Sequence, residues 1–347
     1  MTTAATTGTV DRRVSAVRRL APALALAGVV MLALLTGKFA TSPGEVLTVL
    51  ATKPFGLASG LDPNVETAIW QVRVPRVLAG LAVGAALAAA GATYQGLFRN
   101  PLVSPDILGV SAGASLGAAL GIFLSLNVLA IQVLAFLGGL GAVAAVYAVG
   151  AAIRARDPVL VLVLAGVAVG ALLGSAISLI KILADPYNQL PAITYWLLGS
   201  LASVTRGDLG SVLPAILVGL APLVLLRWRM NLMTLGEEEA RALGVETRVL
   251  RPLLIAAATL MTAAAVSITG VIGWVGLIVP HVARLIVGPD FSKLLPASLM
   301  LGGGFLVGVD LVARSVATIE VPLGVLTAAI GAPFFLWLLA TARRGWS

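Results

Sequence analysis

The apolar residues of this chain fall into long uncharged runs, not into the short alternations of half-buried soluble elements. The runs are Leu20–Gly37, Val77–Phe98, Ile107–Ile153, Pro158–Ile180, Leu209–Leu226, Pro252–Ala283, Leu294–Val309 and Val321–Ala342. A membrane-crossing helix needs roughly 20 apolar residues. The 47 residues of Ile107–Ile153 therefore hold two helices, with a break near Ser125, Leu126 and Asn127. The 32 residues of Pro252–Ala283 are too many for one helix and too few for two full ones. Gly270, Gly273 and Gly276 predict a break there, followed by a short helix ending near Arg284. The pattern predicts an all-α polytopic membrane protein of ten transmembrane helices, with both termini on one side.

Composition agrees: 59% of residues are hydrophobic, 11% are charged and mean hydropathy is +1.04, where a soluble domain carries about 25% charged residues. No polar block is long enough to fold separately, so one transmembrane domain is expected over residues 18–342, with cytoplasmic tails at 1–17 and 343–347 and a cytoplasmic loop at 228–250. Arg12, Arg13, Arg18 and Arg19 before Leu20 resemble the start of a signal peptide, but the run after them is long enough to span and is read as a retained first helix. With the N-terminus cytoplasmic, the inner segments hold Arg12, Arg13, Arg18, Arg19, Arg99, Arg154, Arg156, Arg227, Arg229, Arg241, Arg248, Arg251, Arg284, Lys293, Arg343 and Arg344. That is sixteen of the 23 basic residues, an asymmetry that supports this orientation. The net charge of +8 is thus read as orientation in a bilayer, not as affinity for nucleic acid. The absence of cysteine excludes disulfides, thiolate metal sites and thiol nucleophiles.

Gly109, Gly113, Gly117 and Gly121 form one four-residue stripe and Gly166, Gly170 and Gly174 another, as close helix packing in lipid requires. The inner stretch Arg227–Arg251 carries Thr234 and Glu237 at capping-box spacing. Glu237, Glu238 and Glu239 would sit at the positive end of a short helix running to about Leu243, with Gly244 as its stop. Such a helix is either a solvated surface element or a rigid knob for a cytoplasmic partner. No G-x-x-x-x-G-K-[ST] pattern occurs, so any ATP hydrolysis belongs to another subunit. The runs Val77–Phe98 and Ile107–Ile153 lack the ionisable residues of ion-coupled transporters, and no HExxH or paired intramembrane carboxylates support an intramembrane enzyme.

Several ordered segments resemble the FecCD family, the permeases of iron-siderophore, haem and cobalamin importers. Glu239–Gly244 (EARALG) is similar to the coupling loop of ABC importer permeases. Arg73–Gly91 (RVPRVLAGLAVGAALAAAG), Tyr94–Gly113 (YQGLFRNPLVSPDILGVSAG), Ile272–Arg284 (IGWVGLIVPHVAR) and Pro322–Trp337 (PLGVLTAAIGAPFFLW) continue the match. The resemblance implies a homodimer in the bacterial cell (inner) membrane, with two cytoplasmic ATPases that hold ATP and Mg, and an external substrate-binding protein. It implies no cofactor or metal on this chain and no chemistry of its own. ATPase coupling would fall to Glu237, Glu238, Glu239, Ala240, Arg241 and Gly244. Binding-protein docking would fall to Arg73, Arg76 and Arg314, which otherwise read as snorkelling helix-end anchors. Tyr195 and Trp196, on an expected external half-helix within Asp185–Gly199, would border the pathway mouth or sit in an interfacial aromatic belt. Asp310 lies at helical spacing to pair with Arg314. His281, the single histidine, is read as a structural polar residue. An iron chelate, ferric siderophore or haem, is the expected cargo, with cobalamin or a molybdate-type oxyanion as the alternative.

Overall fold

Without water to satisfy backbone polar groups, a chain of this hydropathy can cross a bilayer only as helices that bond internally. The computed structural model describes residues 22–153, 158–235 and 237–342, and the segments found there are helical. Arg12, Arg13, Arg18, Arg19, Arg154, Arg156, Arg343, Arg344 and both expected tails lie outside the described residues.

α1 is Pro22–Leu35. A short α2 (Pro43–Thr52) follows, closed by a capping box between Ser42 and Glu45. α3 (Pro63–Thr67) passes through a π-helical stretch, Ala68–Arg73, into α4 (Val74–Phe98). Then come α5 (Val110–Phe123), α6 (Val128–Ala152), α7 (Pro158–Leu183), the half-length α8 (Gln189–Leu198) and α9 (Arg206–Leu225). Two short helices, α10 (Arg227–Met233) and α11 (Glu237–Ala242), lead to α12 (Thr247–Thr269), α13 (Val275–Val287), α14 (Phe291–Ala313) and α15 (Leu323–Ala342). Six helices among the described residues are long and apolar enough to cross a membrane: the continuous α3–α4 unit, α6, α7, α9, α12 and α14. Four shorter apolar helices lie in α1, α5, α13 and α15.

Both expected breaks have local causes. Between α5 and α6, Ser125 takes a left-handed conformation (φ 52°) and the Asn127 side chain caps α6 by accepting from the Ala130 amide at 2.9 Å. Between α12 and α13 the chain turns at Gly270 (φ 71°) and Trp274 (φ 72°). A Cβ on Gly270 would stand 2.1 Å from the Trp196 carbonyl oxygen, so only glycine lets α8 approach this corner.

α4 is the centre of the bundle. Of its most apolar stretch 78% is buried, against 22% for α6 and α7, so α4 is enclosed by protein while those two present most of their surface outward. α12, α13 and α14 pack around α4. The crossings with α13 and α14 depend on backbone contact: a Cβ on Gly84 would lie 2.2 Å from the Gly302 oxygen, and one on Gly91 would lie 1.9 Å from the Gly276 oxygen. The stripe of Gly113, Gly117 and Gly121 packs α5 on α6 as expected, and Gly166 seats α7 on the Ile107 carbonyl.

Candidate functional site

The end of the bundle where α1, α4 and α14 meet collects three arginines. α1 ends with carbonyls that no further turn can satisfy. Arg73 supplies donors to them: Nη1 donates to Leu34 O at 2.8 Å, to Leu35 O at 3.2 Å and to Thr41 Oγ1 at 2.6 Å, and Nη2 donates to Phe39 O. Arg314 does the same from α14, with Nη1 donating to Thr36 O at 2.6 Å and Nη2 to Ala33 O. Arg76 makes carboxylate contacts on two sides. Its Nε and Nη2 hold Asp310 at 2.8–3.0 Å, and its Nη1 and Nη2 hold Glu320 at 2.9 Å. Asp310 also lies 3.6 Å from Arg314 Nε, so the expected helical pair exists but is the weaker of its two contacts.

Arg73 and Arg76 are therefore buried, 4% and 7% exposed, and engaged with this chain's own groups. They are not outward-pointing anchors. A cavity of about 270 Å³ remains beside them, walled by Lys38, Phe39, Val72, Arg73, Arg76 and Arg314. The Arg76 guanidinium holds the Glu320 carboxyl below its ordinary value of 4.5. The sequence signal for this cluster was Asp310: a carboxylate at the edge of an apolar run must find a cation.

At the opposite end, α10 and α11 sit between α9 and α12. α11 ends in a Schellman motif: Val245 N donates to Ala240 O and Gly244 N to Arg241 O, each at 2.9 Å, with Gly244 at φ 82°. Ala240 and Val245 are buried, whereas Glu238, Glu239 and Arg241 are exposed. Arg241 Nε donates to Thr247 Oγ1 at 2.9 Å, tying α11 to the start of α12. The side chain of Glu237 lies outside the described residues.

One expectation fails here. Thr234 does not cap α11; it is the C-cap of α10, with helical backbone angles (φ −74°, ψ −18°), and its hydroxyl donates to Asn231 O at 2.7 Å. An N-cap needs extended backbone, which Thr234 lacks. The sequence pattern also gave no sign of Asn231. Its Nδ2 donates to Asp290 Oδ1 at 2.8 Å and its Oδ1 accepts from the Phe291 amide at 2.7 Å, fastening α10 to the start of α14.

His281 packs edge-on against Phe334 at 5.9 Å and lines a cavity of about 360 Å³ with Arg99, Asn100 and Arg284. No metal-binding group of His, Cys, Asp and Glu occurs among the described residues. Arg284 Nη2 donates to Gln95 Oε1 at 3.1 Å, and Gln95 Nε2 donates to Gly276 O and Leu277 O, latching α13 to α4. On α8, Tyr195 is 46% exposed while Trp196 packs against the cluster of Ala114, Ala118, Ala135 and Val266.

A family model described as the FecCD transport family matches residues 24–341. A cobalamin import system permease of Halobacterium salinarum is 45% identical, covering 86% of this chain and 79% of that protein. A molybdate import system permease of Haemophilus influenzae is 38% identical (89% and 91% covered). A probable iron chelatin transport permease of Helicobacter pylori is 40% identical (81% and 84%). A solved inward-facing putative metal-chelate type ABC transporter superposes with a TM-score of 0.83 at 36% identity, covering 93% of this chain and 98% of that one. These matches cover the membrane bundle and the segment between α9 and α12 alike, and the chain belongs to the FecCD transport family, the non-catalytic permeases of ABC importers whose ATPase is a separate subunit.

Proposed function

We propose that this permease carries an iron chelate, a ferric siderophore or haem, received whole from an external binding protein. The observation that supports a chelate over an oxyanion is electrostatic. α5, α6 and α15 contain no lysine or arginine, and α7 only Lys181 near its end. A dianion passing along these four helices would meet no compensating charge at depth, and its desolvation would be costly. The likeness to an iron chelatin permease and to a metal-chelate transporter supports the same class. Cobalamin is the second reading, favoured by the 45% identity to the cobalamin permease. Uptake of radiolabelled ferric siderophore, haem, cobalamin and molybdate in cells with and without this gene decides the matter. Loss of iron-chelate uptake is expected; loss of cobalamin uptake alone would sink the iron assignment.

The binding protein is proposed to dock over the outer cavity. Lys38, Arg73, Arg76 and Arg314 outnumber Asp310 and Glu320 there, so the mouth keeps a positive surplus for an acidic side chain, which would steer encounter more than set affinity. Val72 lines this mouth and is 53% exposed, so Val72→Glu puts a negative charge there without removing any member of the arginine network. Docking is expected to weaken severalfold, most at low salt. The inner segment Glu237–Gly244 is proposed to enter the ATPase subunit, with Glu238, Glu239 and Arg241 facing it, and a second copy of this chain to complete the pathway near Tyr195.

A further inference from the structure

The cavity of about 360 Å³ lined by His281 lies where four elements end or begin. Arg99 and Asn100 border it from the end of α4, Arg284 from the last turn of α13, Phe291 from the start of α14 and Thr234 from the C-cap of α10.

It carries charge without a counterion. Arg99 and Arg284 both line it, and no lining residue is a carboxylate. Among the described residues the Arg99 side chain makes no hydrogen bond or ion pair, and Arg284 makes one bond, from Nη2 to the neutral Gln95 Oε1 at 3.1 Å. The carboxylates of neighbouring elements are engaged or turned to solvent. Asp290, beside the Pro289 wall, accepts from Asn231 Nδ2 at 2.8 Å and from the Ser292 amide at 3.0 Å, and it feels the charge of Lys293. Asp106, in the turn before α5, is bonded by Ser111, and Glu238 and Glu239 are exposed on α11. The side chain of Glu237 lies outside the described residues. Both arginines stand at helix C-termini, where a dipole of about half a charge favours a cation without neutralising it. On the wall of the same cavity His281 has Nδ1 buried with no hydrogen-bond partner, and a buried polar atom ordinarily has one.

We propose that this cavity receives an acidic side chain of the ATPase subunit, with its carboxylate between Arg99 and Arg284. The contact rests on the placement of Glu237–Gly244 in that subunit proposed above: Thr234 is three residues before Glu237, so a protein surface that takes α11 also covers the cavity. A guanidinium meets a carboxylate with two parallel hydrogen bonds, and two cations without counterions at an interface select an acidic partner. The bundle continues the contact mechanically. Pro280 has no N–H, so the Gly276 carbonyl of α13 lacks its ordinary helical donor. Gln95 Nε2 supplies one at 3.3 Å and donates to Leu277 O at 3.2 Å as well. Gly276 is also where α13 presses on Gly91 of α4. A carboxylate on Arg284 would therefore act on the Gln95 bridge that holds this crossing, a second link from the ATPase into the bundle beside the one through α11.

The test measures binding of the purified ATPase subunit to the full-length permease in nanodiscs. Arg99→Gln, which breaks no side-chain bond among the described residues, should weaken binding severalfold. Arg99→Gln with Arg284→Gln should weaken it roughly tenfold or more, with the difference shrinking at high salt. Unchanged affinity in both variants would overturn the proposal. Thermal unfolding reports misfolding separately, and Arg99→Gln alone decides if the double variant does not fold. The chain has no cysteine, so Asn100→Cys on the cavity wall and Glu238→Cys on α11 each introduce a single thiol for a photo-cross-linker. Both are expected to capture the ATPase subunit, Asn100→Cys at a peptide that contains aspartate or glutamate. Capture at a peptide with neither, or capture from Glu238→Cys alone, would overturn the cavity contact and leave the placement of α11 intact. Capture from neither position would overturn both.

Discussion

Arg76 shows what a single side chain does where α1, α4 and α14 meet. Its partners Asp310 and Glu320 lie 234 and 244 residues away in the chain, and it joins α4 to α14 and to the loop after it. Removing one member of a buried pair leaves the other charge uncompensated, which costs about 3–5 kcal/mol. Because Arg76 keeps Glu320, whose side chain is 26% exposed, Asp310→Ala is expected to lower the unfolding free energy by about 2 kcal/mol, below that full cost, measurable by denaturant titration in micelles. Charge reversal at Arg73 or Arg76 would for the same reason be read first in folding and not in docking. Glu320 adds a pH signature. Its folded pKa lies below the ordinary 4.5, so its contribution is complete above about pH 4.5 and disappears as pH falls through the lower folded value. Stability should be flat in this respect from about pH 6 to 8 and decline on acidification, and Glu320→Gln should remove that part of the decline.

At the scale of the element, α14 joins the two ends of the molecule. Asn231 holds its first residues to α10 and Arg76 holds its last turn, so a displacement of the proposed coupling segment has a rigid route, about 34 Å long over 23 residues, to the arginine cluster. Asn231→Ala removes both bonds of that joint at a half-buried position. Transport-coupled ATP hydrolysis is expected to fall severalfold, with the ATPase subunit still bound on a pull-down; full coupling in the variant would refute the route. Gly244→Ala should act more locally, straining the Schellman turn by roughly 1 kcal/mol at φ 82°. Elements of this kind were legible in the sequence where the signal was local. Ser125–Asn127 broke a run too long for one helix, Gly270 marked the corner after α12, and Gly244 stopped α11. Thr234 misled because its spacing to Glu237 fits a cap in sequence, while its backbone belongs to the preceding helix. The snorkelling alternative for Arg73 and Arg76 fails for another reason: a basic residue beside an apolar run normally reaches for water, and only the carbonyls of α1 and the distant Asp310 reveal that these two turn inward.

For the whole molecule, the glycine stripes divide into two groups that the sequence could not separate. Gly113, Gly117 and Gly166 press against backbone of the same chain, with carbonyl oxygens within 2.0–2.2 Å of where a Cβ would stand. Gly170 and Gly174, on the same stripe as Gly166, meet nothing within 4 Å. A small-residue face on a spanning helix is a cost in helix propensity unless another backbone comes close to it. α7, buried over only 22% of its most apolar stretch, offers that face outward. We expect it to meet α7 or α15 of a second copy, closing a pathway between two protomers beside Tyr195. The chain has no cysteine, so Gly174→Cys introduces a single thiol. In membranes it should form a disulfide-linked dimer under mild oxidation, while a cysteine at Ala144, in the cavity between α6 and α12, should not. Gly170→Leu should weaken the dimer at least tenfold in detergent dilution while leaving the monomer folded, because the added side chain enters open space within its own protomer. If instead Gly170→Leu dimerises normally and Gly174→Cys stays monomeric, the second protomer packs elsewhere, and these glycines serve only the motion of α7.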